Sequence, residues 1–159
     1  VPAEPNDTAA DDRVAGLAAA CGARPVPMSA PAHDSAVATI SHLPLVVSAA
    51  LVEAMTGRAD WPTSASLAAG GWASMTRLAQ GDPAMGAGIV VTNARAIADA
   101  LHDLQSILGE WVELIEAGDI DPSGVEQRLS EARGRASGTG AALADGPVAG
   151  DASDAASSG

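Results

Sequence analysis

Apolar and polar positions follow a helical period along most of this chain. Asp7-Thr8 predicts a cap for a helix running to about Cys21, with Val14, Leu17 and Ala18 on one face and Gly22 at its end. Arg24-Pro-Val-Pro-Met28 reads as a short extended segment whose prolines restrict it to an edge strand or a connector. Ser29 is the expected N-cap of a long helix reaching about Met55, with Pro31 in its first turn. Pro44 lies inside that helix; it removes the hydrogen bond to the Ile40 carbonyl and predicts a kink. Thr56-Gly57 ends the helix, and Asp60-Trp-Pro-Thr-Ser64 is expected to be a turn. Leu67–Ala69 and Trp72–Ala79 are expected as short helical pieces broken by Gly70-Gly71.

Asp82-Pro83 is a strong helix start, and the pattern stays helical to about Ala117. Val90, Ala94, Ile97, Leu101, Leu104, Leu108, Trp111 and Ile115 recur in steps of four and three, which is a heptad seam. Such a helix would be roughly 50 Å long, longer than a small domain is wide. A second copy of the chain is the simplest cover for its apolar stripe; a long helix within a monomeric bundle is the alternative. Asp121-Pro122 begins a last helix to about Ala136, with Val125 and Leu129 as its apolar contacts. From Thr139 onward Gly, Ala, Ser and Asp leave little to bury, and disorder is expected.

Composition narrows this to an all-α fold. The chain has 159 residues, 47% of them hydrophobic, with no Phe or Tyr and three Trp, so Ala, Leu, Val, Ile and Met must build any core. All eight basic residues are arginine, and the net charge of −12 argues against nucleic acid and anionic membranes. No apolar run reaches the roughly 18–20 residues of a membrane helix; the best, Leu43–Val52, is interrupted by Pro44 and Ser48. Cys21 is alone, which predicts a reducing, cytoplasmic setting without disulfides. Val1 is not an initiator and no signal peptide follows it, so the chain reads as a piece beginning inside a longer protein. The helix–strand unit over 1–28 looks like the end of an α/β domain.

Arg77 follows Gly70-Gly71 and an apolar stretch, and a guanidinium held among apolar groups needs a partner. That partner is an internal carboxylate, Asp82 or Glu53, or else a ligand's carboxylate or phosphate. Gly70-Gly71 reads as a plain helix break or as a place where backbone approaches a ligand. His33 sits in a first helical turn, where a neutral ring is easier to hold; it reads as a half-buried histidine bonded to a carbonyl or as a pocket group. His33 and His42 are nine residues apart on one expected helix and point to opposite faces, so no metal site is expected. Ser41-His42 is a poor nucleophile–base pair, because adjacent helical residues do not face each other. Gly86-Ala-Gly88 and Gly138-Thr-Gly140 are not dinucleotide loops.

Three segments taken in order resemble the C-terminal helical domain of the prephenate dehydrogenase family, which includes arogenate dehydrogenases. They are Ala32-His33-Asp34 with Ser41-His42-Leu43-Pro44; Gly70-Gly71-Trp72 with Thr76-Arg77-Leu78-Ala79; and Asp82-Pro83-Ala84-Met85 with Asn93 beyond. The resemblance covers about residues 1–117. It implies a helical dimerisation domain over 29–136, preceded over 1–28 by the end of a Rossmann-type nucleotide-binding domain, with 137–159 a disordered tail.

The resemblance further implies a homodimer and an NAD- or NADP-dependent oxidative decarboxylation of prephenate to 4-hydroxyphenylpyruvate, in tyrosine biosynthesis; arogenate is the other substrate the family uses. The cofactor domain and the catalytic histidine are expected outside this chain, which alone should be inactive. Arg77 matches the arginine that holds a substrate carboxylate, His33 a pocket histidine, and Gly70 and Gly71 the glycines that let backbone approach the substrate. Two positions depart from the family pattern: Gly86 stands where many members carry Trp, and Leu45 where many carry a second His. A helical oligomerisation module without catalysis is the reading from another class.

Overall fold

The computed structural model describes residues 8–144, with side chains from 9 to 138, and every regular element among them is helical. In order they are α1 Thr8–Ala20, α2 Ala30–Val37, a π-helical turn Ala38–His42, α3 Leu43–Thr56, α4 Trp61–Ser66, α5 Gly70–Thr76, a 3₁₀ turn Arg77–Gln80, α6 Pro83–Thr92, α7 Ala94–Glu116 and α8 Pro122–Ala144. The described residues divide into two compact units between 108 and 109, inside α7.

In the first unit, α1 ends in a Schellman motif. Gly22 adopts φ +80°, and the N–H of Ala23 reaches back to the Ala18 carbonyl at 3.0 Å. Residues 24–28 form no strand; Pro25 and Pro27 lack the donors a ladder needs, and the segment is a connector.

The helix from Ser29 is continuous to Thr56, and Pro44 acts through a change of turn. Leu43 N–H bonds Ala38 O, five residues back, which widens the turn just before the proline. In a straight α-helix the proline ring would meet the Ile40 carbonyl. The stretch Ala30–Thr56 is 27 residues, long and apolar enough to cross a membrane by length and composition, which corrects the expectation that no run reached that length. One side of it is covered: α5 and the 3₁₀ turn lie on α3, and buried Ser48 accepts a hydrogen bond there from Ala79 N–H.

The turn expected over Asp60–Ser64 is instead largely helix α4, Trp61–Ser66, with Pro62 in the first turn where a proline costs no bond. Residues 67–69 are not helical, and Gly70-Gly71 opens α5 instead of breaking a helix. Trp61 and Trp72 tie α4 to α5, with ring centroids 4.9 Å apart.

The expected single helix over 82–117 is two helices, parted at Asn93 with φ −122° and ψ 30°. Ile89-Val-Val-Thr92 is a β-branched run of weak helix formers, and the Thr92 hydroxyl bends the last turn by donating to Gly88 O at 2.8 Å. At 23 residues, α7 is therefore about 35 Å long. Little is covered. Ala38 and Ile97 are the only hydrophobic residues fully buried among those described, while Met75, Leu108, Val112 and Ile115 are exposed.

In the second unit, Gly118 at φ +76° turns the chain after α7, and Asp121 caps α8 through Ser123 N–H at 3.0 Å. Arg128 bonds Glu110 at 2.7 Å and stacks over Trp111, 4.6 Å from the ring centroid. Helix α8 continues through 137–144, which were expected to belong to a disordered tail. Ala141, Ala142 and Ala144 favour helix enough to outweigh Gly138 and Gly140. Residues 145–159 of that expected tail lie outside the described residues.

Candidate functional site

Ser29 caps α2 by accepting from Ala32 N–H at 3.4 Å, which sets His33 in the first turn. His33 Nδ1 lies 3.1 Å from Asp34 Oδ1, and its side chain is 45% exposed. Its partner is thus a carboxylate, not the carbonyl that the structural reading of this histidine expected. One helical stretch onward, His42 closes the π-turn and is half-buried. Asn93 reaches it from the α6–α7 junction: its amide nitrogen is 3.1 Å from His42 Nδ1 and 2.8 Å from the Asp34 carbonyl oxygen.

Arg77 opens the 3₁₀ turn at the end of α5. Its backbone is gripped on both sides. Buried Thr76 donates to Trp72 O at 2.8 Å, and Ala79 N–H donates to buried Ser48 Oγ at 3.0 Å. Its guanidinium is exposed rather than held among apolar groups, and no described carboxylate pairs with it. Asp82, one of the two internal partners considered, instead caps α6 through Ala84 N–H at 3.0 Å. The internal ion pair is therefore not formed, and the donors of Arg77 are open to a ligand.

Gly70 and Gly71 occupy the first turn of α5. Neither has a positive φ, and a Cβ built on either meets no atom within 4 Å. Nothing inside the chain requires glycine there. Gly70, Gly71 and Arg77 share one short stretch of chain, whereas His33 belongs to α2, and no hydrogen bond among the described residues joins them.

A cleft of about 340 Å³ begins one residue past Arg77, between α3, the 3₁₀ turn and α6. Leu45, Val46, Ala49, Leu78, Ala79, Pro83, Gly86 and Val90 are among its walls. The two departures from the resembled pattern meet in it: a Cβ at Gly86 would lie 3.8 Å from Leu45 Cδ2. A wider, apolar hollow of about 390 Å³ lies between α3 and α7, lined by Val47, Leu51, Met75, Leu101, Leu104 and Leu108.

The match to known proteins follows the same stretch of chain. A family model described as the prephenate dehydrogenase dimerization domain matches residues 29–130. The chain belongs to the prephenate dehydrogenase family. The prephenate dehydrogenase of Bacillus subtilis is 32% identical over 117 residues, covering 72% of this chain and 29% of that protein. The crystal structure of Synechocystis arogenate dehydrogenase superposes with a TM-score of 0.77 at 27% identity, covering 87% of this chain and 50% of that one. Prephenate dehydrogenase from A. aeolicus, in complex with hydroxyphenyl propionate and NAD+, gives 0.75 at 25% identity, covering 87% and 48%. The chain thus spans under a third of the curated relative and about half of each solved one.

The family is one of dehydrogenases, and this chain carries its dimerization part. Its described residues do not fit a dinucleotide. A strand leading through a glycine-rich turn into a helix is what holds the pyrophosphate, and no strand occurs among them. The family match begins at Ser29, the N-cap of α2. Asn93 belonged to the resembled pattern without a role; only the folded chain shows it 51 residues from its contact, His42.

Proposed function

We propose that this chain supplies the dimer interface and the substrate-carboxylate side of the active site of a prephenate dehydrogenase. The reaction is the NAD- or NADP-dependent oxidative decarboxylation of prephenate to 4-hydroxyphenylpyruvate in tyrosine biosynthesis, with arogenate the alternative substrate. One observation carries the reading: Arg77 is exposed and unpaired among the described residues, on a turn whose flanking residues Thr76 and Ala79 are hydrogen-bonded to Trp72 and Ser48. An unpaired guanidinium offers two parallel donors to a carboxylate, the geometry that planar recognition needs. Gly70 and Gly71, with open space where side chains would stand, leave room for a ligand beside the same stretch. His33 is the pocket histidine of this reading.

The dinucleotide belongs to a separate nucleotide-binding domain in this proposal, of which residues 1–28 are the end. The hydride-transfer chemistry and the catalytic base come with that domain, so the chain alone is inactive. The protein works as a homodimer in the cytoplasm, where exposed Cys21 stays reduced. The large exposed apolar surface also favours a plainer reading, a helical module whose work is association.

Kinetics of Arg77→Ala in the enzyme assembled with its nucleotide-binding domain separate the two. A lost bidentate carboxylate contact is worth about 1.5–3 kcal/mol, so KM for prephenate rises about 10- to 100-fold while cofactor affinity holds. Unchanged kinetics would remove Arg77 from the site.

A further inference from the structure

The identity of each nitrogen around Asn93 follows from chemistry alone. A main-chain carbonyl can only accept, so the group 2.8 Å from Asp34 O is the amide NH₂ and not the amide oxygen. The second hydrogen of that NH₂ then faces His42 Nδ1 at 3.1 Å. A ring nitrogen facing an N–H must be unprotonated. The neutral His42 ring therefore carries its proton on Nε2.

His33 is set the other way. Its Nδ1 faces the Asp34 carboxylate at 3.1 Å, and an ionised carboxylate accepts only, so Nδ1 carries the proton and Nε2 is the open acceptor. Asp34 thus fixes both rings: its side chain takes the His33 proton, and its carbonyl orients the amide that fixes His42. Among the residues these bonds join, His33, His42 and Asp34 are the titratable ones.

We propose that Asn93 is a positioning residue that holds His42 as an Nε2–H donor, so that the corner of α2, the π-turn and the α6–α7 junction offers that ring to an oxygen acceptor such as a carboxylate or carbonyl, and not to a metal. Two irregularities serve it. The π-turn ends on His42, and the helix break at Asn93 frees that side chain from its own helix, while its carbonyl still accepts from Ile97 N–H at 3.1 Å. The ring protons are fixed whatever the ligand; only the identity of the acceptor as substrate rests on the prephenate reading.

Long-range proton–nitrogen spectra of the ¹⁵N-labelled protein, taken where the rings are neutral and assigned with His33→Gln and His42→Gln, read the tautomers directly. The expected result is an unprotonated Nδ1 on His42. Asn93→Asp, which can only accept, moves the proton to Nδ1, and Asn93→Ala leaves a mixture. A native His42 protonated on Nδ1, or a tautomer unmoved by Asn93→Asp, overturns the proposal, and the native spectrum decides even if the variants do not fold. In the assembled enzyme Asn93→Asp raises KM for prephenate about tenfold with kcat nearly unchanged. A switched tautomer with an unchanged KM removes the positioning role. Loss of the prephenate reading itself would show separately, as an Arg77→Ala enzyme with normal kinetics.

Discussion

The hydroxyl of Ser48, in the middle of α3, accepts a hydrogen bond from the backbone N–H of Ala79 at 3.0 Å, across 31 residues of chain. Ser48 is 2% exposed, so no water replaces the bond if the hydroxyl is removed. Ser48→Ala leaves a partly buried N–H without a partner, which costs about 1–2 kcal/mol. Thermal unfolding should move down by about 3–8 °C. Because the same bond lies on the turn that carries Arg77, the proposed role of Arg77 predicts that substrate affinity in the assembled enzyme falls with it.

A Cβ added at Gly86 would stand 3.8 Å from Leu45 Cδ2 across the cleft, an ordinary contact for a methyl group. Gly86 lies within α6, where glycine is a poor helix former. Gly86→Ala should therefore raise stability by about 0.5–1 kcal/mol, read as a higher melting temperature. A drop instead would mean that the cleft wall cannot take even one carbon. The bulky Gly86→Trp would need Leu45 to move, and should narrow the cleft that begins next to Arg77.

The helical class and the starts of α2, α6 and α8 were legible in the chain, because Ser29, Asp82-Pro83 and Asp121-Pro122 act locally; the cap side chains expected at Asp7-Thr8 lie outside the described ones. So were Arg77, Gly70 and Gly71 as one stretch. The Asn93 break was less legible: the heptad run from Val90 to Ile115 passes straight through it, and its cause is a weak local preference joined to a distant partner, His42. Pro44 signalled an irregularity, but not that a widened turn would relieve it. Arg77 was singled out as a buried cation needing a partner, yet it is exposed. Burial depends on how α5 and the 3₁₀ turn lie on α3, which no local pattern encodes.

Asp121 caps α8 by accepting from Ser123 twice, from its N–H at 3.0 Å and from its hydroxyl at 2.7 and 2.8 Å. The Ser123 hydroxyl, more than the backbone bonds, holds the Asp121 carboxyl below the ordinary value of 3.8. The folded-state pKa is thus lower than the unfolded one. The stabilisation is complete above the unfolded value and fades as pH falls through the folded one. A carbon NMR titration should give Asp121 a midpoint below 3.8. Asp121→Asn keeps an acceptor for the cap and should retain α8 while removing this acid sensitivity; Asp121→Ala should fray the first turn of α8 at every pH.

Leu108 is 54% exposed on α7 beside the hollow lined by Leu101, Leu104 and α3, and Ile107 is exposed next to it. Apolar surface of this extent is unfavourable in water, and in a chain of the dimerization type a second copy is its natural cover. Sedimentation at micromolar concentration should show a dimer. Leu108→Glu would place two like charges in a symmetric interface, one from each copy, and should weaken association more than about a hundredfold. Exposed Glu113, also on α7, serves as the control, since Glu113→Gln changes charge without touching the apolar stripe. A native chain that sediments as a monomer would refute the dimer, and a Leu108→Glu chain that remains a tight dimer would place the interface elsewhere.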